Sequence, residues 1–264
     1  MTDRADIEPT QPRGWRRLSY TYHCGWVDWG HALPDGALGL LSKLKSQKAD
    51  NDLLNSADVT LNGKPAFVIG YGQEMGALGI RVSARRHWVV QKGLSQAQLE
   101  SVGLAIYLSA SFDFENLQGT FPFSLVAGGS SFSTEDLVSN VIGFYSAARA
   151  ISQDRMRTLC GEVSVDESYR IWDEHTPNGF SEHKNRTTTP VLFPTQYAPS
   201  ESEAPVFPAA LSSIKAARQG ENWARLKSRF LDPGVASGRI PADILSDGSV
   251  RIRRGNARHE RPTQ

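Results

Sequence analysis

The stretch YHCGWVDWGHALP, Tyr22 to Pro34, sets Cys24, Asp28 and His31 around two tryptophans, Trp26 and Trp29. A helix beginning at Cys24 would place Cys24, Asp28 and His31 at i, i+4 and i+7, on one face. Asp28 could then orient the His31 imidazole, or both could hold a divalent metal ion. Cys24 and His31 would stand roughly 10 Å apart along such a helix at its 1.5 Å rise. Cys24 therefore has no base within the segment. A helix N-terminus lowers a thiol pKa, and a thiol hydrolase would take its base from elsewhere; His87 in SARRHWVV is the candidate. The alternative is plain packing, with Trp26 and Trp29 in the core, Cys24 a small buried residue and Asp28 a cap.

Two further groups point to acid–base chemistry. Glu115 in SFDFENLQ shares a helix face with Ser111 and Gln118 and sits among Phe112 and Phe114. Aromatic surroundings disfavour a carboxylate's charged form, so its pKa should rise toward that of a general acid. Its alternative is a solvated helix end. In STEDLVSNVIGFY, Asp136, Ser139, Asn140 and Gly143 form a polar, small stripe opposite the apolar Leu137, Val141 and Phe144. Ser, Asn and Gly are poor helix-interior residues, and such breaches of local preference mark function or close packing. Asp136 could instead complete a capping box and Gly143 admit a neighbour. Asn140 fits neither explanation. Gln73 in GYGQEMGALG could donate to an oxyanion. Glu174-His175 and Glu182-His183 lack a ligand spacing that would define a metal site.

These residues need elements to carry them. DGALGLLSKLKSQ has Leu38, Leu41 and Leu44 at helical spacing. ADVTLNGKPAFVIGYG is a hairpin turning at Asn62-Gly63. IRVSARRHWVV continues that sheet, with Ile80, Val82, Ala84, Trp88 and Val90 on one face and His87 on the other. LSQAQLESVGLAIYLSASFDFENLQG predicts a buried central helix opened by a Ser95–Gln98 capping box. A second helix follows with Ser133 as N-cap and Asp136 at its third position. Residues 176–208 are proline-rich and irregular, and AALSSIKAARQGENWARLKSRF suggests one or two terminal amphipathic helices.

The expected fold is α+β: a mostly helical single domain, 15–232, with a small antiparallel sheet. A flexible N-terminus, 1–14, precedes it, and an extended basic tail, 233–264, follows. A chain of 264 residues with 39% hydrophobic and 22% charged residues is an ordinary globular composition. Its net charge of +1 gives no global electrostatic case for nucleic acid. The absence of a long apolar run argues against membrane insertion. No signal peptide is visible, so the chain is expected to be cytoplasmic as made, with any export independent of a cleaved signal. Two cysteines do not form a disulfide framework at this size, and a single bridge stays open.

The segments YHCGWVDWGHA, GYGQEM, FENLQ and SSFSTEDLVSNVIGFY resemble a family of uncharacterised bacterial proteins with a CGWxDWGHA opening and an EDLVSN helix. The resemblance spans roughly residues 18–150 and implies no particular reaction. The residues themselves point to a hydrolase of a polar biopolymer, such as bacterial cell wall. Its site would comprise His31, Asp28, Glu115, Asp136, Asn140 and Cys24, with Asp28, His31 and Glu115 as ligands if a metal is bound. An antibacterial toxin of effector type would add an immunity or carrier protein as partner. The alternative is a cytosolic binding or scaffold module around a Trp-lined pocket.

Overall fold

The computed structural model describes residues 2–10, 14–50, 58–77, 80–83, 86–118, 132–180, 183–196, 207–226, 239–240, 242–244 and 250–252. The fold is α+β, as the patterning predicts, and the chain sorts into two compact units. The first comprises Met1–Leu40, Gly72–Ala84 and Tyr107–Lys215; the second comprises Leu41–Tyr71, Arg85–Ile106 and Ala216–Gln264.

The first unit is built on a hairpin of β1 (Leu18–Thr21) and β2 (Gly25–Asp28), with Leu18 opposite Asp28. The opening stretch is thus a strand and two turns rather than the expected helix. Gly25, at φ +66°, starts β2, and a Cβ there would lie 2.3 Å from the Val191 carbonyl oxygen. No other residue meets both demands. Among the described residues the chain forms five helices: α1 (Asp35–Ser46) and α2 (Gln96–Gln118), each of which has residues in both units, and α3 (Asp136–Arg149), α4 (Gln153–Cys160) and α5 (Val165–His175), which lie in the first. Ser152 and Ser164 cap α4 and α5 by accepting from Arg155 and Glu167 N–H groups. Tyr20, Trp26, Trp172 and Phe180 pack with Ile7, Leu18 and Ile171 as one apolar cluster. A two-stranded ribbon, β5 (Glu74–Ala77) with β6 (Ile80–Ser83), also belongs here.

Residues 2–10, expected to be loose, are docked. Arg4–Ile7 forms a 3₁₀ turn capped by Asp3, Ile7 is fully buried, and Arg4 pairs with Asp173. A single anchoring Ile leaves no periodicity to read. The described part of 176–208 is irregular, as expected, but it is not only a surface wrap. Phe180 and Asn185 are buried, and the Tyr20 hydroxyl donates to the Phe193 carbonyl at 2.8 Å.

The second unit is a five-stranded sheet in the order β8-β7-β4-β3-β9: β3 (Asp58–Leu61), β4 (Lys64–Tyr71), β7 (Arg86–Gln91), β8 (Trp223–Arg225) and β9 (Arg239–Ile240). All pairs are antiparallel except β3 with β9. The Asn62–Gly63 turn forms as expected, with φ of 53° and 72°. IRVSARRHWVV does not continue one sheet: β6 pairs with β5 and β7 with β4. Trp88, Val89 and Val90 are all fully buried, so β7 is covered on both faces and alternation fails there. The expected terminal helices are replaced by a 3₁₀ turn, Ala209–Leu211, and by β8, because Trp223 and Ala224 are claimed by the sheet beside β7. Within 233–264, the described residues form β9 and the pair β10 (Ala242–Ile244) with β11 (Val250–Ile252).

The Ser95–Gln98 capping box opens α2, each side chain bonding the other's backbone N–H. In α1 the buried stripe is Ala37, Leu40, Leu41 and Leu44, while Leu38 is exposed. The leucine spacing predicts the helix but not its inner face.

Candidate active site

Every side chain of the cluster described here lies in the first unit. Asp28 ends β2, and its N–H donates to Ser139 Oγ of α3 at 3.0 Å. Its Oδ1 accepts from the N–H groups of Gly30 (2.7 Å) and His31 (3.3 Å), and its carbonyl accepts from Ala32 (2.9 Å). Asp28 is therefore the cap of a single turn that carries His31. Asp28 and His31 are neighbours, as the spacing predicts, but through this turn rather than along a helix.

His31 Nδ1 stands 3.2 Å from Asp136 Oδ1 and 4.0 Å from Asp28 Oδ2. The imidazole is 47% exposed, over two buried carboxylates. Burial would lower its pKa, but the Asp136 hydrogen bond and the charges of Asp28, Asp136 and Glu135 outweigh that and push it up to about 9. The ring is thus an imidazolium at neutral pH, and its Nε2 has no hydrogen bond among the described residues. Arg17 supplies the second cation, with Nη2 3.2 Å from Asp28 Oδ2.

The start of α3 sets Asp136. Ser133 is not the N-cap; Glu135 holds that position without a side-chain cap bond. The reason lies in the irregular segment. Lys184 bridges to Ser133, Asn185 N–H donates to the Phe132 carbonyl at 2.9 Å, and Thr134 Oγ1 donates to the His183 carbonyl. This pairing ties Phe132, Ser133 and Thr134 to the irregular segment. Asp136 still reaches back as a third helical residue would, its Oδ2 accepting from Ser133 N–H at 3.0 Å.

Glu115 is buried on α2, and its Oε2 accepts from Phe132 N–H at 2.6 Å. Burial, then the charge of Asp136, push its pKa up to about 7, against the pull of the Phe132 N–H, His31 and Lys184. Of the two expectations, a solvated helix end gives way to the buried carboxyl. His31, Asp136 and Glu115, far apart in sequence, thus share one electrostatic neighbourhood.

Glu135 is the residue that sequence reasoning missed. It is 2% exposed, Thr2 Oγ1 donates to its Oε1, and its Oε2 has no partner among the described residues. Burial and then Asp136 push its pKa up to about 8, with Asp28 adding to the rise. An acidic residue at a helix start ordinarily reads as a complement to the helix dipole; no signal marked it as buried.

The polar stripe of α3 acquires a partner at each position. Asp136 faces His31, and Ser139 holds Asp28. Asn140 Oδ1 accepts from Gln73 Nε2 at 3.0 Å, and the same amide nitrogen donates to Ser111 Oγ at 2.9 Å. Gln73 is therefore a strut to α2 and α3 rather than an oxyanion donor, and Asn140 is its acceptor. At Gly143 a Cβ would lie 2.9 Å from the Leu33 carbonyl oxygen and 3.2 Å from that of His31. Glycine is what lets α3 touch the backbone of the His31 turn.

The remaining candidates separate from this cluster. Cys24 heads no helix; it is buried in the turn before β2, with its thiol against that of Cys160. The pKa reasoning for a nucleophile loses its basis. Among the described residues no three His, Cys, Asp or Glu side chains are arranged to hold a metal ion. In the expected set, Asp28 is committed to Arg17 and to backbone N–H groups, and His31 Nδ1 to Asp136. His175 stacks on Phe193 at 5.1 Å, and His183 meets the same ring edge-on at 5.5 Å. Glu182 lies outside the described residues. Trp26 and Trp29 are each 1% exposed, so neither indole lines an open surface.

No family model, curated protein or solved structure matches this chain. Among the described residues, no helix is long and apolar enough to cross a membrane.

Proposed function

We propose that this cluster is the acid–base site of a hydrolase acting on a polar biopolymer, with bacterial cell wall as its first candidate substrate. One observation carries the reading: His31 Nδ1 is held by Asp136 at 3.2 Å in a side chain that is itself half-exposed. A carboxylate that fixes the tautomer and stabilises the imidazolium is what proton transfer requires. His31 gives its Nε2 proton to the leaving group. Glu115, once ionised, takes a proton from the attacking water. Asp136 and Asp28 are positioning residues, the first for the ring and the second for the turn. No metal is needed for these steps.

The raised pKa values set a window. Glu115 must be ionised and His31 protonated, so kcat/KM should follow a bell with limbs near 7 and near 9. The test incubates the purified protein with cell-wall sacculi and follows soluble fragments. His31→Gln and Glu115→Gln should each lower kcat/KM by about 10²–10⁴-fold, with unchanged circular dichroism. Wild-type turnover that survives both substitutions would discard the site. In the effector setting, expression in the periplasm should arrest growth while cytosolic expression should not. The alternative is a binding module around a Trp-lined pocket, in which Trp26 and Trp29, each 1% exposed, would not be the walls.

A further inference from the structure

The fold brings the chain's two cysteines together from distant sequence positions. Cys24 sits in the turn before β2, and Cys160 is the last residue of α4. Backbone hydrogen bonds lace the two segments. Tyr22 N–H donates to the Gly161 carbonyl at 2.8 Å, His23 N–H to that of Cys160 at 3.0 Å, and Val163 N–H to that of Tyr20 at 3.1 Å. Thr21 stands opposite Glu162 in an antiparallel bridge. In that register Cys160 stands opposite His23, and Cys24 is the next residue along. Facing Cα atoms in such a ladder are about 4.5–5.5 Å apart, which keeps the neighbouring Cys24 near the span a disulfide tolerates. Both side chains are buried, at 1% and 0% exposure, and the Cys24 thiol is near enough to that of Cys160 to raise its pKa.

We propose that Cys24 and Cys160 form a convertible dithiol that closes to an intramolecular disulfide when the chain meets a small disulfide oxidant such as oxidised glutathione. Neither cysteine belongs to the His31 cluster, so the inference stands apart from the hydrolase reading. Cys24, having released its proton, attacks one sulfur of the oxidant, and the first glutathione leaves and is protonated. The Cys160 sulfur then attacks Cys24 in the mixed disulfide, giving up its own proton as the second glutathione leaves. Two electrons and two protons pass to the oxidant. Burial of both sulfurs keeps the folded protein slow to react and places the chemistry during folding.

The experiment refolds the denatured full chain with oxidised glutathione and, in parallel, with dithiothreitol. The oxidised sample should be a monomer lighter by two hydrogen atoms. It should resist alkylation after denaturation and yield one peptide pair joined through Cys24 and Cys160. A bond closing a loop of more than a hundred residues should raise Tm by about 5–10 °C, reversed by reductant. In Cys24→Ala the oxidised and reduced samples should melt together. Two alkylatable thiols after oxidative refolding, chains joined to one another, or a persistent glutathione adduct would each overturn the proposal. Should Cys24→Ala not fold, the mass and peptide map of the unmodified chain still decide.

Discussion

Glu135, Glu115 and His31 all hold protons in the folded chain that the unfolded chain gives up earlier. Burial raises the two carboxyls from an ordinary 4.5 to about 8 and about 7, and the Asp136 contact raises His31 from 6.5 to about 9. Between each pair of values the native state binds more protons, so stability falls as pH rises. For His31 the contribution is complete below 6.5 and lost through 9. For the carboxyls, the cost of burying a charge grows from about 4.5 and is fully felt above 8. The urea midpoint should therefore decline steadily from pH 5 to pH 9. Glu135→Gln keeps an acceptor for Thr2 while removing the titration. At pH 9 its midpoint should exceed that of the parent, and its decline with pH should be shallower. Parallel declines in both proteins would mean that Glu135 is already ionised at neutral pH.

At the scale of elements, α3 decides the site because four positions on one of its faces each hold a different piece. Gly143→Ala tests this most sharply. A methyl at 2.9 Å from a backbone carbonyl cannot be absorbed by turning a side chain. The substitution should cost about 1–3 kcal/mol, read by chemical denaturation. It should also draw the His31 pKa down toward 6.5, read by proton NMR, because the turn shifts away from Asp136. The hairpin offers a second test. Asn62 has φ 53°, and its Nδ2 donates to the carbonyls of Gly220 and Glu221 at 2.8 and 2.9 Å. Asn62→Ala should cost about 1–3 kcal/mol from the lost bonds and the left-handed backbone.

The α3 stripe and the Asn62–Gly63 turn were legible because local chemistry alone makes them unusual. The Asp28–His31 adjacency was legible for a weaker reason: residues three apart meet in a helix and in a capped turn alike. Glu135 was not legible, since its burial depends on Thr2, more than a hundred positions away. Nor was β8, where an Ala-, Lys- and Arg-rich segment reads as helix until the sheet beside β7 claims Trp223 and Ala224.

For the whole molecule, the docked N-terminal segment gives the next prediction. Removing residues 2–9 deletes Ile7 from the apolar cluster, the Arg4–Asp173 pair and the Thr2 donor to Glu135 together. Calorimetry should show a lower Tm, with the loss concentrated in the first unit. Each unit carries an internal means of seeing this. Trp26 and Trp172 lie edge to face with centroids 5.5 Å apart in the first unit, and Trp88 and Trp223 are 5.7 Å apart in the second. Indoles this close couple their electronic transitions, and each couple disappears when its own surroundings melt. Trp172→Phe leaves the second couple as the remaining signal, and Trp223→Phe leaves the first. Circular dichroism of the two variants would then time the melting of each unit separately, without any label.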